Sequence, residues 1–337
     1  MSLSEFTFFD IFTGAGGLAL GIESSGFRQV GCLDNDVACV QTIKTNRPAW
    51  NFIDNDVRTV DFKSYQGKVS LLTGGFPCQA FSYAGELRGF KDSRGTLFQE
   101  FSRAVSEIKP MVFLAENVKG LLTHDKGNTF KVILDTFSKE YNVEYRLLNA
   151  AYFGVGQKRE RLFIIGVRKD LNISIEFPQP YSYETTLYDA IKASPPPSSP
   201  GITYSESKRR VLELVPPGGC WVDLPEDIAA EYMGVSYYKH DGGYRGVARR
   251  TSFDKPCPTL TCSPSQKRTE LCHPTETRPF TVREYARIQS FPDDWVFCGS
   301  LADQYKQIGN AVPVKMAARL GNVILRMLHG GNICVNS

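Results

Sequence analysis

The chain has 337 residues, of which 42% are hydrophobic and 22% are charged, and its formal net charge is +3. These values are typical of a globular protein with one large domain or two domains of ordinary size. The N-terminus lacks the basic start and apolar core of a signal peptide, and no apolar run is long enough for a membrane span. The nine cysteines form no CxxC pair, so we expect a protein of the reducing cytosol and exclude the secreted and membrane-embedded classes.

The first predicted unit is a strand, a glycine turn and a helix. An apolar run over residues 6–12 ends at the sequence GAGG of residues 14–17, and an amphipathic stretch over residues 18–25 stops at Gly26. This order is the start of a βαβ unit, whose turn can hold a nucleotide-like cofactor on backbone N–H groups.

Acidic residues follow the next two predicted strands. The strand over residues 29–33 ends in Asp34, where an acid would bind ribose hydroxyls, and a third strand ends at Asp56 beside Val57. Asp56 could lie at the edge of an adenine ring, and Val57 could cover its face. The turn also fits the dinucleotide pattern G-x-G-x-x-(G/A), with Ala19 last, so it does not distinguish NAD from S-adenosylmethionine.

A thiol follows the fourth predicted strand. The apolar run over residues 69–72 leads through two glycines into Phe76-Pro77-Cys78-Gln79. Open α/β proteins bind ligands beyond the carboxyl ends of their strands, so Cys78 stands where a nucleophile is expected. The alternative is a small buried cysteine without a chemical role.

Helix and strand patterns alternate up to about residue 170. The remaining predicted elements of this part are helices at 96–108 and 130–137 and strands at 111–115, 143–148 and 162–167. The first of these strands ends in Glu116-Asn117-Val118, and the sequence QKRER of residues 157–161 follows the second. The alternation predicts an α/β fold with a doubly wound, mainly parallel sheet and helices on both faces.

The character of the sequence changes near Pro178, where a proline-rich stretch begins that is an unsuitable interior for such a sheet. Regular patterns return in a helix at 281–291 and in a closing helix at 314–328, whose apolar stripe we expect to pack on the sheet. We therefore predict a discontinuous cofactor-binding and catalytic domain formed by residues 1–180 and 310–337. A smaller loop-rich domain would cover residues 181–276, and a hinge and support segment would cover residues 277–309.

Basic residues concentrate in the second domain. Residues 234–270 contain seven lysines and arginines against three acids, so this segment has a net charge of +4 and the rest of the chain −1. Interleaved tyrosines and glycines suit it to a phosphate backbone, with a merely solvated basic face as the alternative. Cys257, Cys262, Cys272 and His273 are close in sequence, but their spacing matches no usual zinc finger, and we predict no metal site.

These residues can be combined into one reaction. C5 of cytosine is a poor nucleophile until sulfur adds to C6, which turns C5 into the end of an enamine that can accept a methyl group. The addition needs a proton or hydrogen bond at N3, a task for Glu116, and a cation near O2, a task for Arg159 or Arg161. A cationic neighbourhood would also help to form the Cys78 thiolate, since a free thiol has a pKa of about 8.5.

The chain resembles the DNA (cytosine-5) methyltransferases, especially the compact bacterial restriction-modification enzymes. The matching motifs appear in family order and are DIFTGAGG at 10–17, FPCQ at 76–79, ENV at 116–118, QKRER at 157–161, REYARIQ at 283–289 with FPD at 291–293, and GNAVP at 309–313. The resemblance implies a Rossmann-like fold that binds S-adenosylmethionine and releases S-adenosylhomocysteine. It also implies methyl transfer to C5 of a cytosine flipped out of double-stranded DNA, through a covalent bond between Cys78 and C6.

The resemblance further implies which residues form each site. The catalytic residues would be Cys78, Glu116, Arg159 and Arg161. The cofactor would be bound by Phe12, Gly14, Gly16, Gly17, Asp34, Asn35, Asp56, Val57, Pro77, Leu97, Asn310, Ala311 and Val312. At residue 35 many relatives carry an aromatic residue that stacks on adenine, so this chain departs from the family there.

Recognition of DNA would fall to two regions. Residues 78–96 would form a loop that closes over the target base, with phosphate contacts from Ser82, Arg88, Lys91 and Arg94. The second domain would be the target-recognition domain, marked by Thr259-Leu260-Thr261. Its candidates for base or phosphate contacts are Arg249, Arg250, Thr259, Gln266, Lys267 and Arg268.

We expect a monomer in the bacterial cytoplasm that acts on double-stranded DNA, alongside a cognate restriction endonuclease for the same site. One alternative is the tRNA-methylating branch of the family, which has the same catalytic parts. Against this alternative stands the insert of nearly a hundred residues in this chain, which is suited to reading duplex DNA. Another is a dinucleotide-dependent oxidoreductase built on the Gly14 turn, which leaves Cys78 and Glu116 unexplained. The third is a DNA-binding relative without catalytic activity. The presence of Cys78 and Glu116 argues against it.

Overall fold

The computed structural model describes residues 6–54, 56–76, 96–234 and 246–330. The chain divides into two compact units. The first unit contains residues 1–149, 160–180 and 312–337, and the second contains residues 150–159 and 181–311.

The first unit is built on a seven-stranded sheet. Its central strands are apolar and run parallel to one another. The strands are β1 (Thr7–Ile11), β2 (Arg28–Asp34), β3 (Phe52–Asp54), β4 (Leu71–Gly74), β5 (Val112–Val118), β6 (Tyr141–Asn149) and β7 (Glu160–Arg168). Their order is β3-β2-β1-β4-β5-β7-β6, and only β7 runs antiparallel to its neighbours within this sheet. The α/β prediction with a mainly parallel sheet is confirmed, because the central strands are buried on both faces as their continuous apolar runs require.

One predicted strand end is confirmed and another is wrong by two residues. Strand β5 ends in Glu116, Asn117 and Val118 as predicted, and β7 pairs with it along its whole length. Strand β3 ends at Asp54 rather than at Asp56. Asp56 instead caps a short 3₁₀ turn over Val57–Thr59 by accepting a hydrogen bond from the Arg58 N–H group.

Helices cover the sheet of the first unit, and the last of them has a different partner from the one we expected. The helices are α1 (Gly17–Ser24), α2 (Val37–Asn46), α3 (Thr96–Ile108), α4 (Asn128–Phe137) and, at the end of the chain, Val314–Gly330. The apolar stripe of this terminal helix packs against α1, where we expected it to lie on the sheet. Gly21 permits the close approach, because a Cβ atom there would lie 2.4 Å from Cβ of Ala317.

The second unit contains short helices that the sequence patterns did not reveal. It has α5 (Glu206–Glu213), α6 (Glu226–Met233), α7 (Val282–Ile288) and α8 (Leu301–Asn310), and a short parallel pair of β8 (Arg249–Arg250) and β9 (Leu271–Cys272); the terminal helix is therefore α9. We predicted only α7, as part of a longer helix. Helix α8 begins at a capping box formed by Ser300 and Asp303, a sequence signal that could have located it.

One apolar cluster of the second unit is mainly aliphatic. Leu212, Trp221 and Leu224 are buried in it together with Val247 and Cys272. In the described part of the chain, no helix combines the length and the apolar character that crossing a membrane requires.

Candidate functional site

The glycines of the turn after β1 have the backbone conformation that the sequence predicts. Gly14 and Gly16 have φ angles of 56° and 86°, in the left-handed region that favours glycine, and Phe12 has a φ of 61°, which its sequence does not predict. The Thr13 N–H group donates to the Leu33 carbonyl at 3.0 Å, which ties the turn to β2. Gly16 then caps α1, so the first N–H groups of this helix, beginning with that of Gly17, face the end of the sheet.

Asp34 holds this turn directly. Its Oδ2 accepts a hydrogen bond from the Gly14 N–H group at 2.7 Å, and its Oδ1 accepts one from the Asp36 N–H group at 2.9 Å. Burial raises the pKa of Asp34 above its ordinary value, and these two bonds oppose that rise. A carboxylate can accept about four hydrogen bonds, so ribose hydroxyls would not have to displace either N–H group.

A second carboxyl group lies below the turn. Asp10 is 1% exposed, and burial raises its pKa to about 7. Its Oδ1 accepts a hydrogen bond from the Thr73 hydroxyl at 2.5 Å. In the folded chain the carboxyl group of Asp10 is therefore protonated and neutral below about pH 7. No role was predicted for Asp10 itself from its place in the DIFTGAGG motif.

The remaining predicted cofactor residues of the first unit differ in how far they are exposed to solvent. Asp56 makes a two-point ion pair with Arg58 at 2.9 and 2.5 Å, and this guanidinium lowers the pKa of the carboxyl to about 2. Val57 is buried, Leu97 is half-buried against the core, and Asn35 is exposed.

Glu116 and Arg161 form an ion pair at the carboxyl ends of the parallel strands. Arg161 Nε lies 2.9 Å from Glu116 Oε1, and the two side chains are 14% and 13% exposed. The register explains the contact: Glu116 faces Phe163 across the β5–β7 pair, so Arg161 is its diagonal neighbour on the same face. The pair is thus screened from most of the solvent.

Glycine at residue 75 makes room for the carboxylate of Glu116. A Cβ atom at this position would stand 2.9 Å from Glu116 Oε2, which is closer than ordinary van der Waals contact. Next in the chain, the Phe76 carbonyl accepts a hydrogen bond from the side-chain amide of Asn117 at 2.9 Å. Asn117 is 3% exposed and was not among the predicted site residues, although it is the neighbour of Glu116 in the ENV motif.

Arg159 belongs to the second unit and is buried in its interior. It is 1% exposed and donates hydrogen bonds to the carbonyls of Leu260 and Gly309, at 3.2 and 2.8 Å. The two arginines of the QKRER sequence therefore have different surroundings. Arg161 pairs with the carboxylate of Glu116, whereas Arg159 donates to backbone carbonyls.

The predicted cofactor residues near the end of the chain lie on both sides of the boundary between the units. Asn310 and Ala311 belong to the second unit and Val312 to the first. The exposed Asn310 accepts a hydrogen bond from the Cys262 thiol at 2.9 Å. The Ala311 carbonyl accepts one from the side chain of Gln289 at 3.2 Å.

Of the predicted DNA contacts, Arg250 lies in the core of the second unit. It is 4% exposed, and its guanidinium donates to four backbone carbonyls and to the Thr277 hydroxyl. A side chain with five such acceptors holds the unit together, so we do not propose it as a DNA contact.

The other described candidates are more accessible. Lys267 is exposed, donates to the Tyr232 carbonyl at 2.5 Å and lies 4.6 Å from the centre of the Tyr232 ring. The Thr259 hydroxyl donates to the Lys158 carbonyl at 2.6 Å, and Arg249 is half-buried. Gln266 and Arg268 are exposed.

Several predicted site residues lie outside the described residues. They are Pro77, Cys78, Ser82, Arg88, Lys91 and Arg94, and the same is true of the tyrosines at 237, 238 and 244. Across the ranges that the structure describes, no three His, Cys, Asp or Glu side chains are grouped as a metal site requires.

Comparison with known proteins gives matches along nearly the whole chain. A family model described as C-5 cytosine-specific DNA methylase matches residues 6–326. The Type II methyltransferase M.Sau96I of Staphylococcus aureus is 50% identical over 334 residues, which are 97% of this chain and 77% of the relative. M.Eco47II of Escherichia coli, also a Type II methyltransferase, is 51% identical over 337 residues, 97% of this chain and 81% of the relative.

A solved structure has the same fold. A prophage-encoded E. coli protein, assigned as a DNA modification methyltransferase, superposes with a TM-score of 0.72. The match covers 96% of this chain and 100% of that one, at 24% identity.

Proposed function

The chain belongs to the C-5 cytosine-specific DNA methylase family and is a DNA cytosine-5 methyltransferase, and from this premise we propose how its residues carry out the reaction. The methyl group comes from S-adenosylmethionine and goes to C5 of a cytosine extruded from double-stranded DNA. Cys78 is the nucleophile that bonds to C6. The single observation that carries the proposal is the ion pair of Glu116 and Arg161.

The ion pair matches the polar edge of a cytosine ring. We propose that Glu116, when it carries a proton, donates a hydrogen bond or that proton to N3, and that Arg161 donates to O2, where negative charge grows as sulfur adds to C6. Because the two side chains are mostly buried and already in contact at 2.9 Å, little reorganisation is needed when the base arrives. Of the two candidate arginines we therefore propose Arg161 for O2.

The glycine turn fits the proposed cofactor. A Cβ atom on Gly14 would meet no other atom within 4 Å, so there is open space beside the turn, and the first N–H groups of α1 face the same end of the sheet. The turn would hold the methionine part, Asp34 the ribose hydroxyls, and Val57 the adenine; Phe12, Leu97 and Asn310 are further contacts. When bound, S-adenosylmethionine supplies an electrophilic methyl group.

The protein's own groups then move the electrons and protons. The Cys78 thiolate forms a bond to C6 while Glu116 hydrogen-bonds or protonates N3, and C5 becomes the nucleophilic end of an enamine. Once C5 carries the methyl group, its proton passes to a water molecule that acts as a base, and any proton held at N3 returns to Glu116. The electron pair of that bond restores the ring double bond and expels the thiolate, which regenerates the enzyme.

DNA must be opened for this reaction, because C5 is stacked inside a duplex and extrusion of the base costs roughly a few kcal/mol. We assign sequence recognition to residues 181–276, with exposed Gln266, Lys267 and Arg268 as the first candidates. Ser82, Arg88, Lys91 and Arg94 remain proposed phosphate contacts on sequence grounds alone.

The cellular context is proposed on the relatives' names. They are Type II methyltransferases, so we propose that this chain protects DNA at a site cut by a cognate endonuclease, as a monomer in a bacterial cytoplasm.

The test of the nucleophile combines a mutation and a trap. Cys78→Ser should abolish methyl transfer while S-adenosylhomocysteine still binds, and Cys298→Ser is the matched control that should retain activity. Duplexes with 5-fluorocytosine at the methylated position should form a denaturation-resistant adduct, since fluorine cannot leave as a proton does. Substantial activity of Cys78→Ser, or no adduct with the wild type, would refute the mechanism.

The substrate is tested separately. Bisulfite sequencing of plasmid DNA from cells that express the protein should reveal one methylated sequence and the cytosine within it. Methylation of tRNA in place of DNA would favour the alternative branch of the family.

A further inference from the structure

A buried hydrogen-bond network joins four distant segments within the second unit. Gln157 and Gln289 are 0% exposed and Arg159 is 1% exposed. Their side chains connect the QKRER sequence, the TLT marker, the REYARIQ motif and the GNAVP motif. Each of these segments has its own proposed role, but none of the roles explains why the segments are joined.

The two glutamines form the first connection. Gln157 Oε1 accepts the Leu260 N–H group at 3.0 Å, and Gln157 Nε2 donates to Gln289 Oε1 at 3.0 Å. Gln289 Nε2 in turn donates to the carbonyls of Ile308 and Ala311, at 2.8 and 3.2 Å. The TLT marker and the GNAVP motif are thus linked through two side-chain amides.

Arg159 makes a shorter connection between the same two segments. One terminal nitrogen donates to the Leu260 carbonyl at 3.2 Å and the other to the Gly309 carbonyl at 2.8 Å. The backbones are also in direct contact, because a Cβ atom on Gly309 would lie 2.4 Å from the Thr261 carbonyl oxygen. The planar guanidinium therefore bridges two backbones that already touch.

The network reaches the surface on both sides. At one end, exposed Thr259 is the first residue of the TLT marker. At the other, exposed Asn310 accepts a hydrogen bond from the Cys262 thiol at 2.9 Å. A displacement of the marker would therefore be transmitted to Asn310 by the backbone contact and by this side-chain bond.

We propose that Arg159 is a positioning residue that couples DNA binding to cofactor binding, by locking the TLT marker and the GNAVP motif into one piece. This rests on the proposed function, in which the marker belongs to the DNA-recognition segment and Asn310 contacts the cofactor. DNA that orders the marker then also orders Asn310. By reciprocity, the cofactor raises the affinity for DNA by the same factor.

The test measures the dissociation constant of S-adenosylhomocysteine by calorimetry, with and without a duplex carrying the methylated site. We expect this duplex to tighten binding to the wild-type chain at least fivefold, within the usual range of coupling. Arg159→Lys should bring the ratio close to one, because an ammonium group on a flexible stem cannot bridge both carbonyls as a guanidinium does.

Two further lysine substitutions serve as controls. Arg161→Lys should slow trapping by 5-fluorocytosine about 10- to 100-fold, as the loss of a charged hydrogen bond predicts, but should retain the wild-type coupling ratio. Arg210→Lys, on an exposed side chain of α5, should leave both activity and coupling unchanged.

Each outcome decides the proposal. If folded Arg159→Lys has the same coupling ratio as the wild type, the proposal is overturned. It is also overturned if the affinity of the wild-type protein for S-adenosylhomocysteine is the same with and without DNA. Slower trapping with intact coupling would make Arg159 a catalytic residue instead. If Arg159→Lys does not fold, Cys262→Ala decides: a reduced ratio supports the proposal and an unchanged ratio overturns it. Failure of the proposed function is distinct, since the wild type would then transfer no methyl group to DNA.

Discussion

Replacing Gly75 by alanine tests whether the position of the Glu116 carboxylate limits the reaction. The new Cβ atom would stand 2.9 Å from Glu116 Oε2, against about 3.4 Å for the shortest ordinary contact. The carboxylate must therefore retreat by about half an ångström. It lies at the end of a flexible side chain, so it can move without disturbing the backbone.

The expected effect is on catalysis rather than on folding. A misplacement of about 1 Å in a catalytic site can cost roughly 100-fold in rate, so a shift of half that size should lower kcat about 10-fold. This corresponds to about 1.4 kcal/mol of lost transition-state stabilisation. The melting temperature and the affinity for S-adenosylhomocysteine should change little, because no core contact is lost.

The assay follows transfer of a tritiated methyl group to DNA, with kcat and KM determined separately for both substrates. Gly120→Ala is the matched control, since a Cβ atom there meets nothing within 4 Å. Wild-type kcat in a folded Gly75→Ala protein would refute the reasoning. It would mean that the reaction tolerates a displacement of the Glu116 carboxylate, or that this carboxylate takes no part in the reaction.

Three more predictions concern the first unit. Burial raises the pKa of Asp10 to about 7, so the folded chain keeps a proton that the unfolded chain releases near pH 4. Asp10 should therefore make stability fall as the pH rises from about 4 to about 7, by up to about 1.4 kcal/mol per pH unit, and Asp10→Asn should remove this contribution to the slope in urea unfolding. Asp34→Ala removes the acceptor of the Gly14 N–H group and should weaken S-adenosylhomocysteine binding about 10- to 100-fold in calorimetry. Gly21→Ala places two Cβ atoms 2.4 Å apart and should lower the free energy of unfolding by about 1–3 kcal/mol.

Each of these predictions can fail clearly. The same pH slope in wild type and Asp10→Asn would mean that another group titrates in this range. Unchanged affinity in Asp34→Ala would separate Asp34 from the cofactor. A more stable Gly21→Ala protein would show that α1 and α9 are not in close contact.

The sequence by itself determined the kind of fold and the order of its parts. The helix predicted at 96–108 is confirmed, as are the strands around residues 7–11 and 162–167, because hydrophobic periodicity is a local property of the chain. The glycine turn was equally readable, since Gly14 and Gly16 occupy backbone conformations that few other residues adopt. The motifs also indicated the family, which the comparisons confirm.

Only the tertiary structure decided which of two identical side chains does what. Arg159 and Arg161 are two residues apart, and nothing local distinguishes them. Arg161 contacts Glu116 because β7 runs antiparallel to β5 in one particular register. Arg159 bonds to carbonyls 101 and 150 positions away along the chain. The burial of Arg250 has the same origin, since the carbonyls that surround a charge are brought together by folding and leave no pattern in the sequence.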